Sequence, residues 1–489
     1  MNRSGALPGG YMGRILVVDL DTGVIDEEVL PGTVYDEGLY GPGLASRMLL
    51  ERIPPGADPM GADNILAFTP GLLTGTGCLF AGRWTVAGKS PLTGGWGDAN
   101  CGGNFSPAIK QCGYDGIFFR GASDHPVYLD VRDGKAELRD AGRFWGMDTV
   151  ETETLLAGGG KGKKSVVAAI GPAGEKRSLI AGIANDGGRM AARSGLGAVM
   201  GSKNLKALVL SGNRRVPVFD REAVKRLSKS CSRWVSLKIP LPAGPVMSRV
   251  GTLFRVMPLQ AAQDGLFYNS LLRKWGTVSM NRASVEMGDA PVKNWAGSNE
   301  DYPFDRSRSV DPDVFRKTEV VRYHCYSCPL GCGAVSSLRG KFSRSHRPEY
   351  ETVTAFGPLC LNADGDSIFY INELLNRAGM DTISAGATVA FAMECLEQGI
   401  LTKSDLDGID LAWGNADAVI ALLYRMIRRE GIGDVLADGV KKAAERIGGG
   451  AGALAMHAGG QELPMHDGRN DPGLDRKSTR LNSSHEWIS

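Results

Sequence analysis

The sequence predicts an α+β protein in which a β-rich N-terminal part is followed by mainly helical domains. Glycine supplies 67 of the 489 residues, about twice its average usage, and the excess lies before residue 210, among short strand patterns and turn signals. From Ser367 onward, apolar residues recur at helical spacing. A chain of this length exceeds one compact core, so two or three domains are expected.

The first part of the chain is predicted to form hairpins and buried strands. Residues 14–20 form an apolar run that leads into Asp21-Thr22-Gly23, a turn sequence followed by a second short strand. Asp133-Gly134 is a strong two-residue turn signal between two further runs. Strands are also predicted at 127–131, 135–138, 165–170 and 205–210.

After Pro217 the pattern changes from strands to helices. Residues 223–235 are predicted to be helical, whereas 240–316 is rich in Gly, Pro and Asn and is predicted to be irregular. Asn415 can cap a helix that carries one apolar stripe, and Gly431 lies just past its end. The stripe is predicted to face the core and consists of Val419, Leu422, Leu423, Met426 and Ile427.

Charge and hydropathy exclude several classes of partner. The 56 basic and 54 acidic residues leave a net charge of +2, which gives no electrostatic case for a nucleic acid or an anionic membrane. The N-terminus lacks the apolar segment of a secretory signal, and no run is long enough to span a bilayer. We therefore expect a cytoplasmic protein, in which the cysteines are not a disulfide framework.

Three of the cysteines are closely spaced and carry the sharpest signal in the sequence. Cys325, Cys328 and Cys332 follow a CxxC and then a CxxxC spacing. Thiolates this close converge on one centre, and soft sulfur ligands select Fe–S clusters, zinc or copper(I). A structural zinc site requires a fourth nearby ligand, for which His346 is the one candidate within reach. A [4Fe–4S] cluster with a distant fourth cysteine fits better, and a zinc-stabilised module is the alternative.

The other six cysteines are isolated in the sequence. Each is predicted to be a small core residue rather than a ligand. Cys360 or Cys395 remains a candidate for the fourth cluster ligand. The remaining four are Cys78, Cys101, Cys112 and Cys231.

Two segments, 82–103 and 185–203, combine many glycines with arginine and lysine. Glycine lets backbone N–H groups approach an anionic ligand, and arginine adds bidentate donors for phosphate. Neither segment is a Walker loop or a dinucleotide-binding fingerprint. Composition alone leaves two interpretations open, a cradle for a phosphate-bearing cofactor and ordinary glycine-rich turns.

The segment from Asn376 to Gly386 is predicted to end one helix and begin another. Gly379 suits a helix C-terminus, and Asp381 or Thr382 suits an N-cap. By itself this pattern indicates an ordinary turn between two helices.

Two glutamates follow the cysteine trio closely in Pro348-Glu349-Tyr350-Glu351-Thr352. Such a carboxylate can act as a general acid or base near the cluster. Taken alone, a solvated or capping glutamate is the simpler interpretation.

Together these segments resemble the tungsten-containing aldehyde ferredoxin oxidoreductase family. The resemblance extends from Gly13 to about Arg469, and its motifs occur in the family's order. They are Gly-Arg-Ile-Leu-Val-Val-Asp-Leu, Lys89-Ser-Pro-Leu-Thr-Gly94, Gly113-Tyr-Asp-Gly116, Gly197-Ala-Val-Met-Gly-Ser-Lys203, the cysteine trio, Pro-Glu-Tyr-Glu-Thr, Gly-Met-Asp-Thr-Ile-Ser and Leu463-Pro-Met-His466-Asp467.

The resemblance implies a β-sheet domain that binds pterin and is followed by two mainly helical domains. We expect the pterin-binding domain at 1–212 and a helical domain with the cysteines and the first pterin loop at 213–420. Residues 421–475 would begin a third domain that is incomplete. The polar segment 476–489 lacks periodicity and turn signals and is expected to be a foreign tail.

The resemblance also implies the cofactors. The family's tungsten, for which molybdenum is the alternative, is held by two pterins whose phosphates are bridged by Mg²⁺, beside one [4Fe–4S] cluster. Carried over, the contacts to pterin phosphate or Mg²⁺ are Arg83, Asn100, Gly102, Arg189 and Met190. The first pterin loop is Asn376, Gly379, Met380 and Asp381, and three cluster ligands are Cys325, Cys328 and Cys332.

Two positions in this pterin loop depart from the family's D-x-x-G-L-D pattern. Asn376 replaces the first Asp, and Met380 replaces Leu. Asparagine keeps an acceptor and adds donors but loses a charge, so we expect hydrogen bonding to the pterin to persist with altered strength.

The implied reaction oxidises an aldehyde to a carboxylic acid and passes the electrons through the cluster to ferredoxin. Glu349 or Glu351 would manage the proton. We expect a homodimer or a subunit of a larger redox complex. The alternatives are a low-potential reductase of the class II benzoyl-CoA type and a non-enzymatic Fe–S or zinc module.

The family's fourth cysteine, second pterin loop and active-site histidine are expected beyond Arg469. The chain as it stands is therefore expected not to assemble the complete active site, and the function is expected of the longer parent protein.

Overall fold

The computed structural model describes residues 9–37, 40–158, 165–249 and 265–470. The chain divides into two compact units. The first comprises Met1–Trp234, His324–Pro329 and Asn376–Met380, and the second comprises Val235–Tyr323, Leu330–Leu375 and Asp381–Ser489. The predicted foreign tail at 476–489 lies outside the described residues, and the predicted boundaries at 212, 420 and 475 stay predictions.

Two six-stranded sheets form the first unit, with the orders β2-β1-β6-β3-β4-β5 and β11-β10-β9-β12-β7-β8. In each sheet one pair is parallel, β1 with β6 and β12 with β7, and the other described pairs are antiparallel. The strands are β1 (Arg14–Asp19), β2 (Ile25–Val29), β3 (Leu66–Pro70), β4 (Trp84–Lys89), β5 (Trp96–Cys101), β6 (Ile117–Arg120), β7 (Val127–Arg132), β8 (Lys135–Asp140), β9 (Val166–Ala169), β10 (Ile183–Asn185), β11 (Arg189–Ala191) and β12 (Leu205–Ser211).

The described residues of the first unit include one large apolar core and smaller apolar clusters on which helices pack. The core takes side chains from both sheets, including Phe68 and Leu208, and from the buried face of α3, including Phe105. Trp84 is buried beside Phe105, with 4.9 Å between the ring centroids. Burying a large side chain of this kind contributes about 1.5–3 kcal/mol. The helices are α1 (Gly32–Glu37), α2 (Pro42–Arg52), α3 (Phe105–Cys112), α4 (Thr149–Ala157), α5 (Pro172–Glu175), α6 (Leu196–Ser202) and α7 (Arg221–Val235).

Both predicted hairpins are present. β1 pairs with β2 across the turn at Asp21-Thr22-Gly23, and β7 pairs with β8 across Asp133-Gly134. Asp133 and Gly134 have φ values of 49° and 85°, the left-handed region that a two-residue hairpin turn requires. The predicted strands at 165–170 and 205–210 correspond to β9 and β12.

The second unit is mainly helical, with a three-stranded sheet β13-β14-β15 and a two-stranded ribbon β16-β17. Its helices are α8 (Gly265–Trp275), α9 (Asn281–Met287), α10 (Pro312–Lys317), α11 (Tyr350–Phe356), α12 (Gly365–Ala378), α13 (Thr382–Glu397), α14 (Ala416–Arg428), α15 (Ile432–Leu436) and α16 (Gly439–Ile447). The strands are β13 (Glu319–Tyr323), β14 (Gly333–Ser337), β15 (Arg344–His346), β16 (His457–Ala458) and β17 (Gln461–Glu462).

The prediction that 240–316 is irregular is wrong for its described part, because α8, α9 and most of α10 lie there. Helix α8 buries Leu271, Leu272 and Trp275, an apolar face that stabilises it despite the surrounding turn residues. Helix α10 begins with Asp311 as N-cap and proline in its first turn, so a proline that suggested a break marks a helix start.

The cap of α14 is partly as predicted. The Asn415 side chain accepts a hydrogen bond from Ala418 N, and all five residues of the stripe are buried. The left-handed residue at the C-terminal end is Arg429, with φ of 55°, and Gly431 instead precedes α15. Along the described residues, none of the helices combines the length and apolarity needed to cross a bilayer.

Candidate functional site

The segment His324–Pro329, which we call the cysteine loop, folds onto the glycine-rich part of the first unit. Tyr326 N donates to Gly103 O at 3.1 Å, and Phe80 N donates to Ser327 O at 2.9 Å. Ser327 has a φ of 53°, which turns the chain between Cys325 and Cys328. The loop is therefore held by its backbone, while its two cysteines, Cys325 and Cys328, are half-buried thiols.

Glycines lie directly against this loop. A Cβ on Gly82 would lie 2.4 Å from Tyr326 O, and a Cβ on Gly102 would lie 2.6 Å from Cys325 Sγ. At Gly103, with φ of +116°, a Cβ would lie 2.3 Å from Asp186 Oδ2. These three residues, the glycine floor, admit no side chain because the loop and its supports occupy the space.

Arg189 reaches the sulfur of the loop. Its Nη1 donates to Cys325 Sγ at 2.9 Å, and a Cβ on Gly102 would lie 3.3 Å from the same nitrogen. The structure thus brings three predicted site residues together, Gly102, Arg189 and Cys325. A guanidinium is a strong donor to a negatively charged ligand atom.

The remaining two residues of the first predicted segment, Arg83 just before β4 and Asn100 in β5, are hydrogen-bonded to each other. Arg83 Nε donates to Asn100 Oδ1 at 2.5 Å, and Arg83 Nη2 donates to Asn100 O at 3.1 Å. Asn100 pairs with Thr85 across β4 and β5. Arg83 is exposed, so this segment presents a cation at the surface beside Gly82 of the glycine floor.

Cys101, between Asn100 and Gly102, points into the core. Its thiol donates to Asn185 Oδ1 at 3.1 Å, and Asn185 Nδ2 donates to Gly102 O at 3.3 Å. Burial raises the pKa of Cys101 to about 12, so this thiol stays protonated at neutral pH. Cys101 is a core residue, as predicted.

The predicted pterin loop, Asn376–Met380, also belongs to the first unit. Gly379 has φ of +70° after the end of α12, and its carbonyl accepts from Gly182 N at 2.9 Å. Met380 is fully buried and forms an isolated antiparallel bridge with Ala181. The carbonyl of Asn376 accepts from Thr149 Oγ1 at 2.9 Å.

The β10–β11 hairpin connects these two groups of residues. Arg189 pairs with Asn185 and Met190 pairs with Ala184, while Gly182, just before β10, donates to the pterin loop. A Cβ on Gly182 would lie 2.8 Å from Met190 Cε. The β10–β11 hairpin and the residue before it thus contact both the cysteine loop and the predicted pterin loop.

Cys332 belongs to the second unit. It is half-buried, and its carbonyl accepts a hydrogen bond from Arg347 Nη2. In the part of the chain that the structure describes, no group of three His, Cys, Asp or Glu side chains is arranged to hold a metal ion. The assignment of the trio as cluster ligands stays a prediction.

The isolated cysteines are core residues with two exceptions. Cys101, Cys112, Cys360 and Cys395 are buried, whereas Cys78 is half-buried and Cys231 is exposed. Burial raises the pKa of Cys395 to about 12 and raises that of Cys360 as well. The prediction is wrong for Cys231, because α7 buries only Val235.

The predicted carboxylates take three different positions in the second unit. Asp381 is buried and caps α13, because its side chain accepts from Ile383 N at 3.0 Å. Glu349 is exposed and accepts from Thr277 Oγ1. Glu351 is half-buried in the first turn of α11, and its Oε2 accepts from Met465 N at 2.9 Å.

Sequence reasoning missed a group of side chains around Glu351. His466 Nδ1 lies 3.1 Å from both carboxylate oxygens of Asp289, and its Nε2 lies 4.0 Å from Glu351 Oε1. Tyr350 stacks on the imidazole, with 5.2 Å between the centroids. We call Asp289, Tyr350, Glu351 and His466 the histidine cluster. The sequence feature that could have indicated this cluster is the Leu-Pro-Met-His-Asp motif, which contains His466 and was not given a role.

Comparison with known families agrees with this fold and with the positions of the motifs. The family model for the N-terminal domain of aldehyde ferredoxin oxidoreductase matches residues 15–212, and the model for its domains 2 and 3 matches residues 260–477. The chain belongs to the aldehyde ferredoxin oxidoreductase family, a family of oxidoreductases. The resemblance found in the motifs is therefore confirmed, as is the α+β fold class.

Three individual proteins illustrate the range of relatives. The tungsten-containing aldehyde ferredoxin oxidoreductase of Pyrococcus abyssi is 35% identical over 95% of this chain and 72% of its own length. The WOR-like subunit of an aliphatic sulfonate oxidoreductase from Pyrococcus furiosus is 31% identical over 94% of the chain and 72% of its length. The solved active site complex BamBC of benzoyl coenzyme A reductase with 1,5-dienoyl-CoA has a TM-score of 0.80 at 30% identity, covering 94% of this chain and 67% of that one.

Proposed function

We propose that the protein oxidises an aldehyde to the carboxylic acid, RCHO + H₂O → RCOOH + 2 e⁻ + 2 H⁺, and passes the electrons to ferredoxin. The observation that carries this proposal is the packing of the cysteine loop and the loop 376–380 against one hairpin of the first unit. Relatives named for this activity share about a third of the sequence over 95% of the chain, which supports the same assignment.

The residues of the first unit fit a large anionic cofactor. The backbone of Gly82 and Gly102 packs directly against the cysteine loop, and Arg83 and Arg189 place cations beside this contact. When bound, a tungsten or molybdenum bis-pterin supplies a Lewis acid and a two-electron acceptor. We propose that it and its Mg²⁺ are held by Arg83, Asn100, Gly102, Arg189, Met190, Asn376, Gly379, Met380 and Asp381.

The cysteines Cys325, Cys328 and Cys332 would hold a [4Fe–4S] cluster, which supplies one-electron transfer between the two-electron oxidation and ferredoxin. The hydrogen bond from Arg189 to Cys325 Sγ fits this role, because such bonds to ligand sulfur tune the potential of a cluster.

Glu351 would accept the proton that the attacking water releases. A half-buried carboxylate is better suited to this role than an exposed one, because it is partly shielded from bulk water and can be held at a fixed position. Glu351 is half-buried, whereas Glu349 is exposed and accepts from Thr277. Glu349 remains the second candidate.

The test uses the product of the complete gene, produced without oxygen and with tungstate. We expect reduction of methyl viologen by at least one of a panel of aldehydes, together with bound tungsten and iron. Glu351→Gln should lower the rate by about 10²–10⁴-fold. Glu222→Gln changes another glutamate in the first turn of a helix, α7, and should not alter the rate. Protein with zinc and no iron would instead support the non-enzymatic binding module.

A second function, reduction of an aromatic acyl-CoA at low potential, is favoured by the likeness to the benzoyl coenzyme A reductase complex. The two functions separate in one assay. A preparation that reoxidises reduced viologen with benzoyl-CoA, and that reduces viologen with no aldehyde in the panel, would replace the proposed oxidation with this reaction.

We further propose that the protein acts in the cytoplasm as a homodimer or within a larger redox complex. The relatives named as a subunit and as a complex support the second arrangement. Native mass spectrometry of the anaerobic protein distinguishes a dimer from an assembly with other subunits.

A further inference from the structure

The imidazole of His466 is fixed against a buried carboxylate. Its Nδ1 lies 3.1 Å from both oxygens of Asp289, and the two side chains are 12% and 5% exposed. The backbone around Asp289 is held as well, because Asp289 N donates to Ser284 O at 2.8 Å and Asp289 O accepts from Asp467 N at 2.6 Å. A carboxylate accepts hydrogen bonds, so Nδ1 carries the proton of the neutral imidazole.

This tautomer leaves Nε2 as the basic nitrogen, and Nε2 lies on the side of Glu351. The distance from Nε2 to Glu351 Oε1 is 4.0 Å, which one bridging water or a small side-chain rotation converts into a hydrogen-bonded path. The other oxygen of Glu351 accepts from Met465 N at 2.9 Å, so Oε1 is the oxygen directed at the imidazole.

Aromatic side chains hold the imidazole in this orientation. The ring of Tyr350 stacks on it at an interplanar angle of 19°, and the Tyr350 hydroxyl donates to Met465 O at 3.0 Å. Trp295 Nε1 donates to His466 O at 3.1 Å. Burial raises the pKa of Tyr350 well above its usual value, so the phenol stays protonated at neutral pH.

We propose that His466 is the proton partner of Glu351, and that Asp289 orients the imidazole and stabilises its charged form. In the transfer, the O–H bond of protonated Glu351 breaks and an N–H bond forms at Nε2 of His466. The products are the Glu351 carboxylate and an imidazolium beside the Asp289 carboxylate, and no electrons move. This proposal rests on the proposed function, in which Glu351 takes the substrate proton.

His466 and Asp289 are positioning residues in this scheme, because they act through Glu351. Other charged and titratable groups lie on the segments that pack here. Glu286 lies on α9, Tyr350 lies beside Glu351 on α11, and Asp467 is paired with Arg469, whose Nη2 lies 2.5 Å from its Oδ2.

The first measurement observes the imidazole directly in histidine-labelled chain by nitrogen–proton NMR across a pH titration. His466 is assigned by the signal that disappears in His466→Gln. We expect the Nδ1-protonated tautomer at high pH, and we expect Asp289→Asn to weaken proton binding at His466 by about tenfold. An Nε2-protonated tautomer, or a titration that Asp289→Asn leaves in place, would overturn the proposal without any activity assay.

The second measurement uses the complete, metal-loaded enzyme. Asp289→Asn and His466→Gln should lower kcat by about 10–100-fold and displace the pH–rate profile, with KM little changed. His125→Gln is the control, since His125 Nδ1 lies 2.5 Å from Asp124 Oδ1 in an exposed pair, and its profile should match the wild type.

The two proposals fail differently. Full activity in Glu351→Gln would remove the proposed role of Glu351 itself. An inactive Glu351→Gln beside a His466→Gln enzyme of wild-type rate and profile would remove the relay alone. If His466→Gln does not fold, Asp289→Asn carries the test. One histidine signal should then shift in the pH titration, and the absence of any displaced histidine signal, together with a wild-type rate and profile, would overturn the proposal.

Discussion

The glycine floor of the first unit and the histidine cluster of the second unit are built on opposite principles. The floor requires glycine, because a Cβ on Gly82 or Gly102 would lie within 2.6 Å of the cysteine loop. The histidine cluster depends on side chains that are present, with Asp289 and His466 in contact across 177 positions of sequence. The glycine floor is therefore sensitive to added side-chain volume. The histidine cluster is sensitive to the loss of hydrogen-bonding groups.

This difference predicts different responses to substitution. Adding one methyl group to a filled space costs about 1–3 kcal/mol and displaces backbone. Removing one hydroxyl from a hydrogen-bonded group costs about 0.5–1.5 kcal/mol and leaves the neighbours in place. Substitutions in the floor should therefore disturb the backbone and the position of the cysteine loop, whereas those in the cluster should change rates and pH dependence while the fold is kept.

The largest expected effect separates two cysteines that flank Gly102. Burial raises the pKa of Cys101 to about 12, so its reactive thiolate at pH 8 is about 10³-fold scarcer than that of an ordinary thiol. Cys325, in the cysteine loop, is half-buried. In metal-free protein treated with iodoacetamide, we expect alkylation of Cys325 long before Cys101, measured by peptide mass spectrometry. Equal alkylation rates for the two cysteines would show that Cys101 is accessible to the reagent and is not protected by burial.

Gly82→Ala is the next largest effect. The new Cβ would lie 2.4 Å from the backbone oxygen of Tyr326. A backbone atom cannot relieve this clash by changing a side-chain rotamer, so the loop itself would have to shift. We expect a loss of about 1–3 kcal/mol in the free energy of unfolding, together with reduced iron binding in anaerobic protein. Denaturant titration and iron analysis measure the two quantities.

Gly32→Ala provides the matched control for this change. Gly32 begins α1 and has nothing within 4 Å of its hypothetical Cβ, so alanine there should preserve or slightly raise stability. Equal behaviour of the two variants, with full iron in both, would mean that the cysteine loop is not seated on Gly82.

The sequence was most informative where a local rule is sufficient. Asp133-Gly134 forms its hairpin, Asn415 caps α14, and Gly379 ends α12 in the left-handed conformation. Each of these features depends on a few neighbouring residues whose backbone preferences are known. The glycine-rich segment 82–103 belongs with them, because its many glycines can be seen in the sequence before any partner is known.

Longer-range features could not be obtained in this way. The helices between 265 and 316 are stabilised by buried faces, such as that of Trp275, against partners that periodicity does not identify. The exposure of Cys231 depends on how little α7 buries. His466 was visible as part of a motif, but its partner Asp289 follows a helix in a segment that the sequence predicted to be irregular.

The smallest expected effect is that of removing a single tyrosine hydroxyl in the second unit, inside or outside the histidine cluster. Tyr350→Phe removes the hydroxyl that donates to Met465 O at 3.0 Å but keeps the ring that stacks on His466. Tyr302→Phe is a matched variant, since its hydroxyl donates to Asn362 O at 2.7 Å outside the cluster. Each should lower the free energy of unfolding by about 1 kcal/mol.

Two readouts then separate these tyrosines. Burial raises the pKa of both phenols in the folded state, so above about pH 10 the unfolded chain releases their protons first and stability falls as pH rises. Both variants should make that fall shallower. The NMR signals of His466 should move in Tyr350→Phe alone, because that hydroxyl holds the Met465 peptide that also binds Glu351. If both variants moved those signals equally, the histidine cluster would be ordinary packing rather than a site with its own proton chemistry.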